Sequence, residues 1–292
     1  MILRETQSNC GSLHKFGASA GLSSCDKVKT FANTLLTCKA QQATSPFTFP
    51  ISWLLTPMCG RYRLTAKERY IEEHFDLNEE GEVQWSPRYN IAPSQEIAVI
   101  RQDAREPRRH FCLMRWGLVP YWAKNASFGN HAINAMAETA AEKPAFRDAF
   151  KKHRCLIPAD GFYEWKKLNS REKQPYNIGL KDDGLFAFAG LWDRWRSPSG
   201  WLETCTILTT SSNSLTCEVH DRMPVILQPQ DYDVWLDPGI TAPARVQHLL
   251  RPLDAALMRK YPVSSKVGNP QFDAPECAAE VPPIQASAPT LF

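Results

Sequence analysis

The pattern of apolar and polar positions changes at residue 58, after which short apolar segments alternate with turn residues. Apolar residues recurring with helical spacing predict helices over 66–75, 143–152, 231–236, 244–250 and 253–260. Alternating or continuous apolar runs predict strands over 95–101, 111–119, 176–180, 185–191 and 203–209, and a strand, a turn and a strand over 154–165. Because short turns rather than long crossovers join the strands, we expect an α+β fold with a mainly antiparallel, barrel-like sheet and flanking helices.

Turn residues add detail to this prediction. The sequence KDDG at 181–184 is typical of a hairpin, which would pair the strands on either side of it. Pro252 separates the last two predicted helices, because proline removes a backbone donor and breaks a helix. The chain after Pro262 is rich in proline and is predicted to be irregular.

Residues 1–57 differ from the rest of the chain. Fourteen of them are Ser or Thr, only two are acidic, and they show no clean helical or strand period. We expect this segment to be a disordered extension or, if translation begins at Met58, not to be made at all. The folded domain is then expected over 58–280, followed by an irregular tail over 281–292.

Charge and composition limit the possible functions. Residues 1–57 hold five Lys or Arg and two Asp or Glu, so the remainder carries 29 of each and no net charge. Nucleic-acid binding would therefore need a local basic patch. No apolar run approaches the ~20 residues of a membrane span, and we expect a cytoplasmic monomer.

The cysteines are odd in number and scattered, which is typical of free thiols in a reducing compartment. They stand at positions 10, 25, 38, 59, 112, 155, 205, 217 and 277. None forms a C-x-x-C pair, so spacing gives no support to a zinc site, and we expect neither metal nor cofactor.

Cys59 has two interpretations. Most free cysteines are small buried hydrophobic residues. If Met58 were removed, however, Cys59 would carry both an α-amine and a thiol, with pKa values near ~8 and ~8.5. Such a residue can form a Schiff base with an aldehyde and then close a five-membered thiazolidine, as an internal cysteine cannot.

Three further residues have side chains suited to the same chemistry. Glu164 stands between two aromatic residues, where desolvation would raise its pKa and make it a proton acceptor, although a solvated strand carboxylate is equally typical. His220 precedes Asp221 and could be a general acid or a structural imidazole. Asn134 could orient the thiol or the substrate, or simply stabilise a turn.

The same residues allow a different class of protein. Cysteine, histidine and asparagine also form the site of a cysteine protease, in which Cys59 needs no free amine and His220 is its base. The pattern leaves this alternative open.

Candidate contacts to nucleic acid are arginines, which bind phosphates, and tryptophans or a rigid proline turn, which meet bases. The arginines are Arg61, Arg63, Arg115, Arg147 and Arg222. The tryptophans are Trp85, Trp116, Trp122 and Trp165, and the turn contains Pro93. Because most tryptophans in a domain of this size pack in the core, we expect only a few to meet a ligand.

Taken together, eight segments resemble the SOS-response-associated peptidase (SRAP) family of abasic-site crosslinking proteins. They are MCGRY (58–62), RYNIAPSQ (88–95), WGLVPYWA (116–123), INA…ET (133–139), RCLIPADGFYEW (154–165), AGLWDRW (189–195), HDRMPVIL (220–227) and YPVSSKVGNPQFDAPEC (261–277). They run in order over about 220 residues. The resemblance therefore covers nearly the whole chain after residue 58.

This resemblance implies a sensor of abasic sites in single-stranded DNA that bonds covalently to the ring-opened sugar through its terminal cysteine. By resemblance, Glu164 handles protons at the Cys59 amine, His220 assists ring opening and proton transfer, and Asn134 positions the Cys59 end. An autopeptidase activity that exposes the cysteine and an AP-lyase side activity are also implied. The protein would associate with the bacterial nucleoid when bound to DNA.

Two features depart from the family pattern. Residues 1–57 would hold the nitrogen of Cys59 in a peptide bond, unless translation begins at Met58 or the Met58–Cys59 bond is cut. Many members also have an arginine two residues after the active-site asparagine, where this chain has Met136. The missing phosphate contact should weaken DNA binding, unless Arg147 or Arg115 replaces it.

Overall fold

The computed structural model describes residues 59–77, 84–103 and 108–284, so the expectations for residues 1–57 lie outside it. The strands are β1 (Tyr62–Leu64), β2 (Arg88–Ile91), β3 (Glu96–Gln102), β4 (Arg109–Trp116), β5 (Asn134–Met136), β6 (Arg154–Ala159), β7 (Gly161–Lys167), β8 (Lys173–Leu180), β9 (Phe186–Ser197), β10 (Gly200–Ser211), β11 (Arg222–Pro224), β12 (Ile226–Leu227) and β13 (Met258–Pro262). The α-helices are α1 (Glu68–Phe75), α2 (Arg147–Lys152) and α3 (Tyr232–Leu236).

Five strands close into a ring in the order β10, β4, β3, β6, β9 and back to β10. The β4–β10 pairing is parallel, and the other four pairings of the ring are antiparallel. β5 and β11 extend the sheet from β10, and β12 pairs with β9. The predicted α+β fold with a mainly antiparallel, barrel-like sheet is confirmed.

A second sheet, in the order β13–β8–β7–β1–β2, is antiparallel throughout. It packs on the ring through Tyr62 of β1, whose buried side chain meets Trp116 and Phe188 edge-on at centroid distances of 5.5 and 5.7 Å. Edge-to-face pairs of this kind contribute about 0.5–1.5 kcal/mol each beyond the apolar area they bury. The two sheets therefore share one core.

Helix α1 forms because its apolar residues lie four apart. Ile71 and Phe75 are fully buried on one face, while the intervening residues are polar. The helix ends at Asp76, which adopts a left-handed conformation with φ of +51° and donates its N–H to the carbonyl of Glu72.

The prediction of a hairpin at 181–184 is wrong. Strands β8 and β9 flank this turn, but β8 pairs with β7 and β13 in one sheet, whereas β9 belongs to the ring. A turn does form at these residues, with Asp183 at a positive φ of +56°. The partners of the two strands are set by distant packing, which turn residues do not encode.

The helices predicted over 244–250 and 253–260 are also wrong. These segments form short 3-10 turns, at Pro243–Arg245, Gln247–Leu249 and Ala255–Leu257, and then strand β13. β13 pairs with the edge of β8, from Met258 opposite Leu180 to Pro262 opposite Tyr176. The free edge of β8 satisfies the backbone of this segment, so tertiary context overrides its weak helical pattern.

Candidate active site

The pairing of β1 with β7 places the Cys59 end of the domain beside Glu164. Tyr62 pairs with Phe162, and the N–H of Tyr163 donates to the carbonyl of Arg61 at 2.9 Å. Glu164 is the next residue along β7, so its side chain lies next to Cys59. Continued by two residues, this antiparallel register places Glu164 opposite Gly60, the neighbour of Cys59.

A buried ion pair holds β1 in that register. The guanidinium of Arg63 lies 3.3 Å from the carboxylate of Asp160, in the bend between β6 and β7. The same arginine donates to the Asp160 carbonyl at 3.0 Å, and Asp160 also accepts from the Thr65 hydroxyl at 2.7 Å. Because both charges are buried and hydrogen-bonded, removing either would leave an unpaired buried charge.

The nitrogen of Cys59 donates a hydrogen bond to Oε1 of Glu164 at 2.6 Å. Glu164 is buried, and burial raises its pKa to about 8, since desolvation penalises the carboxylate. The backbone N–H groups of Cys59 and Trp165 lower that pKa, and the nearby Asp221 raises it slightly. A carboxyl group with a pKa near neutrality can both take up and release a proton at physiological pH.

Cys59 itself is buried, and burial together with the charge of Glu164 raises the pKa of its thiol well above the usual value. Its φ of +43° lies in the left-handed region, which is uncommon for a residue with a side chain. The thiol is therefore neutral at physiological pH and is held in a strained backbone conformation beside a carboxyl group.

Asn134 reaches Cys59 from the ring. It begins β5, which pairs in parallel with β10 so that Asn134 stands opposite Ile207. Its Nδ2 lies 3.4 Å from the carbonyl oxygen of Cys59 and donates to it. Glu164 and Asn134 thus hold the nitrogen and the carbonyl of Cys59 from opposite sheets.

His220 lies in the connection between β10 and β11. Its Nδ1 accepts from the N–H of Arg222 at 3.1 Å and lies 2.9 Å from Oδ1 of Asp221. The neutral ring can accept from the Arg222 backbone, whereas a protonated ring can pair with the Asp221 carboxylate. Both states of the imidazole therefore have a partner.

Glu164 and His220 line one cleft of about 560 Å³. Its other lining residues are Gly60, Arg61, Pro93, Trp165, Lys167, Lys173, Val219 and Gly268. The cleft thus combines three cationic side chains with an indole and a proline, a composition suited to a ligand with both phosphates and flat or apolar groups.

Arg61 is held firmly at this cleft. Its guanidinium donates to the Asn90 side chain at 3.0 Å and to the carbonyls of Val267 and Gly268 at 2.7 and 3.0 Å. Desolvation lowers the pKa of this guanidinium. No carboxylate is among these partners, so they do not neutralise the positive charge of Arg61, which lines the cleft.

Two other predicted contact residues lie elsewhere. Trp116 is fully buried and donates its indole N–H to the carbonyl of Ile133, so the expectation that it meets a base is wrong. The ring fills the core between the sheets, as most tryptophans do. Arg147 is exposed on α2, 3.9 Å from Asp148, and does not line the cleft.

Arg222 forms a bidentate ion pair with Glu138, with N–O distances of 2.7 and 2.8 Å, and also donates to the carbonyl of Thr209. It is therefore occupied by protein partners, and its neighbour His220 is the residue that faces the cleft.

Among the other tryptophans, Trp165 lines the cleft, Trp122 lines a separate depression and Trp85 is buried.

Three further residues belong to this site that the sequence pattern does not indicate, namely Lys167, Lys173 and Asp221. The two lysines flank the β7–β8 hairpin, where Lys167 pairs with Lys173. That pairing could have been found by extending the strand after Glu164. The sequence shows Asp221 only as a neighbour of His220, because its distance to the imidazole depends on the turn geometry.

Within the described residues, no group of three or more His, Cys, Asp or Glu side chains is placed to hold a metal ion. No helix in the same part of the chain is long and apolar enough to cross a membrane.

The chain belongs to the SOS response associated peptidase (SRAP) family, whose model matches residues 58–270. It is 48% identical over 223 residues to the abasic site processing protein YoqW of Bacillus subtilis, covering 75% of this chain and 98% of that protein. It is 32% identical to the abasic site processing protein HMCES of Xenopus tropicalis, covering 71% and 70% of the two chains. A crystal structure of a Bacteroides thetaiotaomicron protein, 28% identical, superposes with a TM-score of 0.67 over 76% of this chain and all of the other.

Proposed function

We propose that this protein processes abasic sites in single-stranded DNA by forming a covalent thiazolidine crosslink through Cys59, exposed as the first residue by loss of Met58. The relatives are named abasic site processing proteins, which supports an abasic site as the substrate. The observation that supports the chemistry is the contact of 2.6 Å between the nitrogen of Cys59 and the buried carboxylate of Glu164.

The first step makes an imine. The Cys59 amine, deprotonated by Glu164, attacks C1 of the ring-opened sugar, and the carbinolamine loses water with a proton supplied by His220. The thiol of Cys59 then adds its sulfur to the imine carbon while its proton passes to the nitrogen. The balance is one aldehyde and one aminothiol giving one thiazolidine and one water, so the reaction uses neither metal nor cofactor.

The cleft would select the lesion by shape and charge. Arg61, Lys167 and Lys173 attract the phosphates of a single strand, while Trp165 and Pro93 offer surfaces for bases. A sugar without a base can approach the buried Cys59 where an intact nucleotide would clash. The protein would act in the cytoplasm, on bacterial DNA, as a monomer.

The experiment compares four proteins that begin at Met58: the unchanged chain, Cys59→Ala, Cys59→Ser and, as a control, Cys217→Ala, which removes an exposed free thiol. Each is mixed with a single strand bearing one abasic site and analysed on a denaturing gel. We expect a stable adduct for the unchanged chain and for the control, and none for Cys59→Ala. Cys59→Ser retains the amine and should form an adduct only after borohydride reduction of the imine.

An adduct of undiminished yield with Cys59→Ala would contradict the proposal. Mass spectrometry of the amino terminus is run beside the gel, because the mechanism requires Cys59 to be the first residue. The chain that retains residues 1–58 should form no thiazolidine.

The second candidate is a cysteine peptidase formed by Cys59, His220 and Asn134, of which self-cleavage at the Met58–Cys59 bond is the simplest form. The observation that favours it is the positive φ of Cys59, a strained conformation directly after that bond. It predicts hydrolysis that persists without a free amine. The imine stage would also allow strand-cleaving elimination, an AP-lyase side activity visible as shortened DNA on the same gel.

A further inference from the structure

Gly268 lines the cleft at a position where the fold does not require a glycine. Its φ lies outside the left-handed region that favours glycine, and a Cβ atom there would meet no other atom within 4 Å. At Gly161 and Gly190, by contrast, a Cβ atom would lie 2.5 and 2.8 Å from neighbouring side chains. Because a fixed glycine costs conformational entropy, a glycine that packing does not demand is typical of a place where a ligand approaches the backbone closely.

The guanidinium of Arg61 lies against Gly268 and keeps two of its five N–H groups for a ligand. Nη1 donates to the side chain of Asn90 and the carbonyl of Val267, and Nη2 donates one hydrogen to the carbonyl of Gly268 at 3.0 Å. The N–H of Nε and the second N–H of Nη2 have no acceptor in the described part of the chain. Nε and Nη2 form one edge of the guanidinium, and such an edge can bind two oxygens of a phosphate at once.

The segment that carries Gly268 is tied to strand β2 and is therefore rigid. Nδ2 of the buried Asn90 lies 2.8–3.1 Å from three carbonyl oxygens of residues 264–273. The carboxylate of Asp273 accepts from the N–H of Asn90 at 3.0 Å and from Nε of Arg88 at 2.6 Å. Since this segment is held at several points, a side chain added at Gly268 would take up open space rather than displace the backbone.

The charges around the free edge of Arg61 favour an anion. Asp273 is the only acidic residue in 264–273, and its carboxylate is bound by Arg88. Glu164 is the only acidic residue among those that line the cleft, and burial raises its pKa to about 8, so most of it is uncharged at neutral pH. No ionised carboxylate of the cleft lining therefore competes with a phosphate for Arg61.

We propose that Gly268 is a specificity-determining residue. It leaves room for the sugar–phosphate backbone of a single DNA strand, so that a phosphate next to the lesion binds the free edge of Arg61. A larger side chain at this position would fill that room and exclude the strand, although it would touch no atom that takes part in the chemistry. The inference rests on the proposed function, because that function supplies the strand.

The test measures equilibrium binding to the full chain of a fluorescent single strand that carries a tetrahydrofuran unit in place of the abasic sugar. Tetrahydrofuran has no aldehyde, so the probe cannot crosslink and reports binding alone. The variants are Gly268→Ala and Gly268→Leu. The matched control is Ala256→Leu, which places the same leucine at an exposed position in a different groove. Thermal unfolding checks that each variant is folded.

We expect Gly268→Leu to weaken binding about tenfold or more, the loss of one hydrogen-bonded contact between charged groups. The slope of affinity against salt should become shallower by about 0.7, the value for one phosphate contact on a single strand. Gly268→Ala, whose added methyl group meets no protein atom, should change both quantities in the same direction but by less. Ala256→Leu should bind the probe as the unchanged chain does.

Unchanged affinity of Gly268→Leu would overturn this inference, as would an equal loss of affinity in Ala256→Leu. Weaker binding with an unchanged salt slope would also overturn it, because no phosphate contact would then have been lost. If Gly268→Leu does not fold, Gly268→Ala decides the question by the same two measurements. Because the probe has no aldehyde, failure of this inference would leave crosslinking through Cys59 intact, and failure of crosslinking would leave the comparison of affinities valid.

Discussion

Glu164 accepts a hydrogen bond from the nitrogen of Cys59 at 2.6 Å, although the two residues are 105 positions apart in the sequence. The pairing of β1 with β7 creates this contact, and the ion pair between Arg63 and Asp160 stabilises that pairing. A base with a pKa of about 8 therefore lies beside the atom that the proposed chemistry deprotonates. Each of the following predictions tests one part of this arrangement.

Replacing Glu164 by Gln should slow crosslinking without abolishing it. Glutamine fills the same volume but cannot accept the proton of the amine, and general base catalysis contributes about 10²–10⁴-fold to a rate. The initial rate of adduct formation, measured with a chain that begins at Met58, should fall by roughly that factor. Glu142→Gln, an exposed carboxyl group away from the cleft, is the control and should react at the unchanged rate.

Glu164 should also make the stability of the protein depend on pH. Its pKa is about 8 in the folded protein and near the ordinary 4.5 in the unfolded chain. Below pH 4.5 the group is protonated in both states. Between pH 4.5 and 8 it ionises only on unfolding, so stability falls as pH rises, and above pH 8 the loss levels off.

The measurement for this second prediction is urea unfolding of the full chain across that pH range. Relative to Glu164→Gln, the unchanged protein should lose stability on the order of a few kcal/mol. The Glu142→Gln control should follow the unchanged protein. Identical pH profiles for Glu164→Gln and the unchanged protein would show that the carboxyl group is not held in its neutral form.

His220 should contribute far more than Asp221 to the rate of crosslinking. His220→Ala removes the proposed proton donor, and the crosslinking rate should fall by about a hundredfold or more. Asp221 lies 2.9 Å from the imidazole, but its side chain is 88% exposed, where an ion pair is worth about 0–1 kcal/mol. Asp221→Asn should therefore slow the reaction less than tenfold, and an effect as large as that of His220→Ala would assign the carboxylate a direct role.

Gly161 should not tolerate a side chain. A Cβ atom there would lie 2.5 Å from Nε of Arg63 and 2.8 Å from Oδ1 of Asn177, both held in the buried network of Asp160. Gly161→Ala should destabilise the protein by about 1–3 kcal/mol, the usual cost of overpacking. Gly268→Ala places its Cβ in open space at the cleft and is the control. Thermal unfolding of both variants checks this, and equal melting temperatures would contradict it.

The sequence located the chemical groups of the site well. It indicates four candidates, because each combines a reactive or polar side chain with turn or aromatic neighbours: Cys59, Asn134, Glu164 and His220. The structure brings Asn134 and Glu164 onto Cys59 and places His220 in the cleft with Glu164. Their catalytic roles stay predictions until the experiments above are done.

The sequence was less informative where an outcome depends on distant partners. The turn at 181–184 was recognised, but the sheets to which its two strands belong are decided by packing elsewhere. The sequence suggests Trp116 as a ligand contact, whereas its indole is buried, because composition does not distinguish a buried indole from an exposed one. A helix is predicted at 253–260, but the end of this segment forms β13, because it pairs with the free edge of β8.

The groups around Cys59 come from two different sheets. Cys59 and Glu164 belong to the β1–β7 side, whereas Asn134 begins β5 and His220 follows β10, both attached to the ring. The distance between Glu164, the proposed base, and His220, the proposed acid, therefore depends on how the two sheets pack. Tyr62 lies in the contact between the sheets. A substitution buried in that contact, far from any nucleotide, would therefore lower the rate of crosslinking although every side chain that takes part in the chemistry is retained.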